Sequence, residues 1–364
     1  MAFEFDAQPR QQGDQARTAY AARMAVINES LSRRRLFGLV GAGAAGLALS
    51  ACGSSGGGAA AGGAASALPG LAGGRKVTVR TCVYAKNHAA SMLYWQRFAP
   101  AGVTVSVVPV TSTAEVLQGL EGGSLDFGLM APYVPMLTQA KGGVHSKVVA
   151  MVARQGFGLI GKKGQVTTIA DLKGKKVAVP PPGAQVLVLG LLLDKAGLKL
   201  GRDVTGVPLG YADHVAALTR GDVQAFMGSE PPCTKAVVDG VGVRLPGVFD
   251  TALGDLNTAL WASPASLKDD ELCRAVTRMQ RSAAEYLTPG GHNDDKVWHD
   301  LLVTQYGFTE KVAAAVLSNV GAQWQFDARR QGQFQAVGKA LVATGSLKHE
   351  PDYEALYARK YWAL

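Results

Sequence analysis

From Lys76 onward, short apolar runs rich in β-branched residues alternate with stretches of helical periodicity, and the alternation runs through two rounds. That rhythm constrains the chain to a mostly parallel sheet flanked by helices, built twice. In the first round, strands are expected over 76–83, 103–110, 125–130, 148–152 and 158–161, with helices over 88–98 and 113–120. In the second, strands at 176–179, 204–209, 223–227 and 241–245 accompany helices at 183–196 and 212–220. The run Gln185 to Leu193 is apolar all round and too short to span a membrane, which predicts a fully buried helix.

Beyond Trp261 the pattern turns helical. Ser266 and Asp269 have capping-box spacing, and Leu272, Val276, Met279 and Ala283 recur at helical intervals. Further helices are expected near 294–304, 309–318, 328–342 and 353–361. A helical tail of this length needs a surface, and the first lobe is the natural one. Lobe 1 is therefore expected to be discontinuous, 75–165 with 258–364, and lobe 2 to run over 166–257.

The segment ahead of this pattern reads as an export leader. Ser32-Arg33-Arg34-Arg35-Leu36-Phe37 sets a twin arginine before a Leu/Gly/Ala run that ends in Leu49-Ser50-Ala51-Cys52. At about 16 residues the run is too short and too glycine-rich for a stable span, so 1–51 is expected to be a signal peptide. Leu-Ser-Ala-Cys resembles the processing site of bacterial lipoproteins, which implies lipidation of Cys52 and cleavage before it. Each buried methylene contributes roughly 0.8 kcal/mol, so several acyl chains on one cysteine give a durable anchor. Residues 52–74, nearly all Gly, Ala and Ser, form a flexible tether.

Composition narrows the partners. Six arginines against four acids in 1–51 account for +2 of the formal +9 and leave +7 on the rest. The longest basic clusters there are pairs such as Lys162-Lys163, so the footprint of a nucleic-acid binder is missing. With Cys52 lipidated, Cys82, Cys233 and Cys273 remain, an odd and widely spaced set that predicts no obligatory disulfide. The six histidines are scattered without metal-ligand spacing, and no metal is expected.

Several stretches carry a family resemblance. They are Asp171-Leu172-Lys173-Gly174-Lys175-Lys176-Val177-Ala178-Val179, Gly122-Gly123 followed by Leu125-Asp126-Phe127-Gly128, the helix-opening Gly183-Ala184-Gln185, and Leu218 to Phe226 with its central Gly221-Asp222. In this order, with Ser229-Glu230-Pro231-Pro232 after them, they resemble ABC-importer solute-binding proteins of the sulfonate, taurine, nitrate and thiamine-precursor group, over roughly 76–287. The resemblance implies an α/β type II periplasmic-binding-protein fold: two α/β lobes joined by a hinge, ligand between them, and the helical C-terminal segment on lobe 1. It also implies an extracytoplasmic monomer that delivers a small molecule to an ABC permease and its ATPase, anchored at Cys52 on the outer face of the cytoplasmic membrane or in the periplasm.

Ligand sites in open α/β sheets lie at the carboxyl ends of strands and between domains. The candidates are Tyr84, Asn87 and His88 after the first strand, Thr111 and Ser112 after the second, Ala131 and Tyr133 after the third, and Arg154 at the crossover. The second lobe offers Gly183, Ala184, Gln185, Tyr211, Ser229 and Glu230. Asn87, Thr111 and Ser112 have helix capping as an equally simple role. The tyrosines favour a flat heterocycle through stacking, Arg154 and the helix starts favour an anion, and Glu230 suits an amine or ring N–H.

No nucleophile-elbow, zincin or Walker signature is present, and no cofactor is expected. A pyrimidine-precursor synthase, an enzyme relative of the group, carries a cysteine-rich motif that this chain lacks. The remaining alternative is a sensor domain that uses the same clamp to signal.

Overall fold

A computed structural model describes residues 68–180 and 183–364. The expected signal peptide, Cys52 and the tether up to residue 67 lie outside the described residues. Ordered packing starts slightly before Arg75, because Leu71 is buried and the Ala72 N–H donates to Glu271 Oε1 at 2.6 Å.

Eleven strands are described: β1 (Val77–Tyr84), β2 (Val103–Val110), β3 (Phe127–Met130), β4 (Lys147–Gln155), β5 (Phe157–Lys162), β6 (Lys176–Val179), β7 (Thr205–Pro208), β8 (Ala225–Ser229), β9 (Gly242–Arg244), β10 (Leu256–Ala262) and β11 (Val320–Ala322). The helices are α1 (Trp95–Phe98), α2 (Thr113–Glu121), α3 (Tyr133–Gln139), α4 (Ala184–Lys195), α5 (His214–Arg220), α6 (Pro232–Val238), α7 (Asp270–Leu287), α8 (Asp295–His299), α9 (Glu310–Val316) and α10 (Ala328–Ala343).

The strands form two separate layers. In the first, β1 and β2 pair in parallel beside the sheet β11-β4-β10-β3. The second is the sheet β7-β6-β8-β5-β9, with β6 parallel to both β7 and β8. Strands β3, β8 and β10 are buried at every residue, as expected for strands covered on both faces. The architecture is α/β with two lobes.

Two connections join the layers. One is the single residue Gly156 between β4 and β5, where Gln155 (φ 44°) and Gly156 (φ 79°) both adopt left-handed backbone. This pair turns the chain from one sheet into the next within two residues, and glycine takes the conformation at least cost. The other is residues 245–255. It starts at Leu245 N–H to Leu159 O (2.8 Å) and ends where Gln155 N–H meets Asp255 O (2.7 Å). Asp255 is held by an ion pair with Arg330 on α10.

The tail packs chiefly on the first layer: α7 lies over β4, and β11 pairs with β4. It also reaches the second lobe, since α9 contacts α6 and Val238 joins the cluster of Trp298, Leu301 and Val316.

Four local expectations need correction, one of them the helix expected over 353–361, which is two 3₁₀ turns, Glu354–Leu356 and Arg359–Tyr361. The helix expected over 88–98 starts only with a 3₁₀ turn at Ser91–Tyr94. Lys86 is left-handed (φ 52°), and Asn87 bends its own chain by accepting the Ala89 N–H at 2.9 Å. The capping box does not form: Ser266 lies in a 3₁₀ turn and donates to Asp126 O, and Asp269 itself caps α7 by accepting Leu272 N–H at 3.0 Å. Finally, α4 buries one face only, leaving Val186, Gly190 and Leu191 half-buried and Asp194 exposed.

Candidate functional site between the lobes

The loop after β1 meets the end of β8. Asn87 donates from Nδ2 to Ser229 Oγ at 2.9 Å, and its carbonyl accepts the Tyr306 hydroxyl at 3.1 Å. Ser229 Oγ in turn lies 3.4 Å from the Glu230 carbonyl, and the Glu230 N–H donates to Gly156 O at 2.9 Å. One buried asparagine, with Nδ2, Oδ1 and its main-chain carbonyl all engaged, thus links the lobes. It acts neither as a helix cap nor from a helix start.

His88 follows it into the interior. Its imidazole is 3% exposed, and Nε2 lies 3.1 Å from Asn257 Nδ2 on β10. The same Asn257 amide donates to the Gln155 carbonyl, so the ring is tied to the crossing strand. Gly156 lies against the ring: a Cβ there would stand 1.9 Å from His88 Nε2. Nδ1 makes no well-formed hydrogen bond. Burial lowers the His88 pKa from 6.5 to about 4, against a weaker pull upward from the Glu230 main chain, so the ring is neutral near pH 7.

Around this link stand the tyrosines. Tyr84 OH lies 3.2 Å from Thr113 Oγ1, and Tyr211 sets its ring edge-on to His214 at 5.7 Å. Burial pushes both hydroxyls above their ordinary pKa, and Tyr211 is close enough to raise Tyr84 further. Two phenols from different lobes thus lie near one another. Ala131 and Tyr133 sit half-buried at the start of α3, where burial also raises the Tyr133 hydroxyl. Gly183, Ala184 and Gln185 open α4 just past the carboxyl end of β6.

Other candidates are placed elsewhere or already engaged. Ser112 caps α2 by accepting Glu115 N–H at 3.2 Å, while Glu115 Oε2 accepts the Thr111 N–H at 2.9 Å and hydroxyl at 3.0 Å. The Glu230 carboxylate, expected to face a ligand amine, is fully buried; it pairs with Arg244 and accepts the Thr234 N–H at 3.0 Å. A buried carboxylate needs such partners, and Arg244 already supplies the positive charge that a ligand amine would bring. Arg154 is not with the tyrosines: its side chain runs over Gly321 into a separate cavity beside α7.

Sequence reasoning missed Gly156, Asn257, Tyr306 and Asn319. Asn319 donates to Thr234 Oγ1 at 3.2 Å, and its carbonyl accepts the Gly156 N–H at 3.0 Å. One signal was available: Asn257 is an amide, with Thr258 beside it, in the mostly apolar run Leu256 to Ala262, where a buried polar group demands a specific partner.

Two α/β lobes, two crossings and a polar seam at the strand ends define the fold of periplasmic solute-binding proteins. The aliphatic sulphonate binding protein SsuA of Escherichia coli superposes with a TM-score of 0.62 at 20% identity, covering 79% of this chain and 99% of that one. The desulfurization enzyme DszB shares the fold more loosely, with a TM-score of 0.55 at 13% identity over 79% of this chain and 97–98% of DszB chains. In sequence, an Escherichia coli K12 protein named for binding aliphatic sulfonates is 31% identical over 162 residues, which is 44% of this chain and 46% of that protein. The chain spans less than half the length of the curated relatives it matches. Residues 82–298 match the NMT1-like family, and the chain belongs to that family.

Proposed function

We propose that this chain is the extracytoplasmic solute-binding component of an ABC importer, held to the membrane by lipid on Cys52, which captures a small organic molecule between its lobes by hinge closure. Lobe 1 comprises 75–155 with 256–364 and lobe 2 comprises 157–255, rather than the expected boundaries at 165 and 257, because β5 pairs with β8 and β9 and β10 pairs with β3 and β4. The observation that carries this reading is the Asn87–Ser229 hydrogen bond across the lobes beside Tyr84 and Tyr211. A single neutral hydrogen bond contributes only about 1 kcal/mol net, so the Asn87–Ser229 bond can be exchanged for bonds to a ligand while the Asn319–Thr234 contact persists.

The lining proposed for the ligand is Tyr84, Asn87, Thr113, Ala131, Tyr133, Gly183, Ala184, Gln185, Tyr211 and Ser229. The side-chain donors among them are neutral, and the tyrosines offer flat faces. Such a set accepts a sulfonate through hydrogen bonds or a planar heterocycle through stacking. The named sulfonate-binding relatives favour the sulfonate. Thiol chemistry of the desulfurization type is disfavoured, because Cys82, Cys233 and Cys273 are all buried, and burial pushes the Cys82 thiol up to about 12 and Cys273 up to about 11.

A thermal-shift screen of the full chain against alkanesulfonates, carboxylates, pyrimidines and amines tests the reading. A sulfonate or pyrimidine should raise Tm, and Tyr211→Ala should abolish the rise. Stabilisation by none of the four classes refutes it.

A further inference from the structure

Arg154 leaves the interlobe seam for a cavity of about 560 Å³ whose walls include Glu285, Thr288, Gly290, Gln323 and Trp324. The guanidinium is held in place. Its side chain lies flat on Gly321, where a Cβ would stand 2.8 Å from Nε and 3.1 Å from Cζ. Any other residue at 321 would displace it.

The cavity also carries an unbalanced charge. Glu285 is neutralised by Arg281 at 2.8 Å, and Arg281 stacks over Trp324 with 4.7 Å from its guanidinium carbon to the ring centre. Among the described residues, no carboxylate lies within ion-pair distance of Arg154. With Glu285 already paired to Arg281 outside the cavity, the Arg154 guanidinium is the charge left facing the space.

The wall of Gln323 and Trp324 is fixed by backbone pairing. Gln323 N–H donates to Val152 O at 2.9 Å, Met151 N–H donates to Trp324 O at 2.9 Å, and the buried Gln280 amide clamps Met151 O and Gln323 O at 3.0 Å each. A preformed concavity of this size, with one aromatic wall and one oriented cation, has the attributes of a small-molecule site.

We propose that this cavity is a second ligand site, distinct from the interlobe seam, for a small organic carboxylate or sulfonate whose anionic end pairs with Arg154 and whose apolar body lies against Trp324. Arg154 stands next to the left-handed pair Gln155–Gly156, so the occupant sits on the strand that crosses between the lobes.

Calorimetric titration of the full chain with benzoate, and with benzamide as its uncharged counterpart, tests the proposal. Benzoate should bind saturably and benzamide at least tenfold more weakly, and Arg154→Gln should weaken benzoate at least tenfold. Trp324→Ala, at a half-buried position on the rim, should weaken it severalfold and serves if Arg154→Gln fails to fold. No saturable binding, or binding unchanged in the variant that folds, overturns the proposal. Benzoate heat that survives Arg154→Gln but vanishes in Tyr211→Ala assigns it to the seam, which overturns the second site and leaves the proposed function standing. Benzoate binding that requires Arg154 in a chain that no sulfonate or pyrimidine stabilises has the opposite meaning.

Discussion

Lowering the pH should destabilise the protein through His88, and the size of the effect follows from its surroundings. The unfolded chain takes up a proton on this imidazole near pH 6.5, whereas the folded chain does so only at about 4. Between those values the unfolded state binds more protons, so stability is intact above pH 6.5 and falls as pH drops, levelling off below 4. The total loss is about 3 kcal/mol at roughly 1.4 kcal/mol per pH unit. The groups around the ring explain why it stays neutral: the Asn257 amide, the Gly156 backbone and the Glu230 main chain meet it, and no carboxylate side chain is among its hydrogen-bond partners. Urea denaturation at pH 7.5, 6.5, 5.5 and 4.5 on the full chain and on His88→Gln provides the assay. The variant should be less stable at pH 7.5 because the buried Asn257 contact changes, yet the gap to the parent should narrow by about 2–3 kcal/mol by pH 4.5. Parallel stability curves, or an imidazole that titrates near 6.5 in NMR spectra of the folded protein, would refute the burial argument.

Two further perturbations probe the crossings. Gly156→Ala places a methyl 1.9 Å from His88 Nε2 on backbone with φ 79°, and it should lower Tm by many degrees, corresponding to about 3 kcal/mol or more; wild-type melting would show that the ring does not rest on this glycine. At the other crossing, burial raises the Asp255 pKa but the Arg330 hydrogen bonds and charge, with Gln333 and Arg329, bring it down to about 2. That depression contributes about 2 kcal/mol, fully present above pH 3.8 and lost as pH falls through 2, so Asp255→Asn should cost stability at pH 7 in urea melts and progressively less below pH 3.8.

Local pattern carried the reading of the strands a long way. Val103 to Val110 and Lys176 to Val179 begin and end where β-branched alternation says, because strand sites select for residues that the sequence displays directly. Helix onsets were less legible. Around Asn87 and His88 the helical pattern yields to two buried polar side chains and a left-handed Lys86, and the Asn87 amide nitrogen and the His88 ring meet Ser229 and Asn257, more than 140 residues away.

The same distance in sequence explains the site. Glu230 reads as a free acid until Arg244 comes beside it on a strand fourteen residues later, and Arg154 reads as a cleft cation until the pleat of β4 turns it toward α7. Gln155 leaves the extended conformation at φ 44°, so the chain turns there, just past Arg154. The Gln155 main-chain carbonyl is held at the crossing by Asn257. Arg154 thus lies on Gly321 beside α7, while Asn87 and Ser229 stay bonded to each other at the seam near Tyr84 and Tyr211.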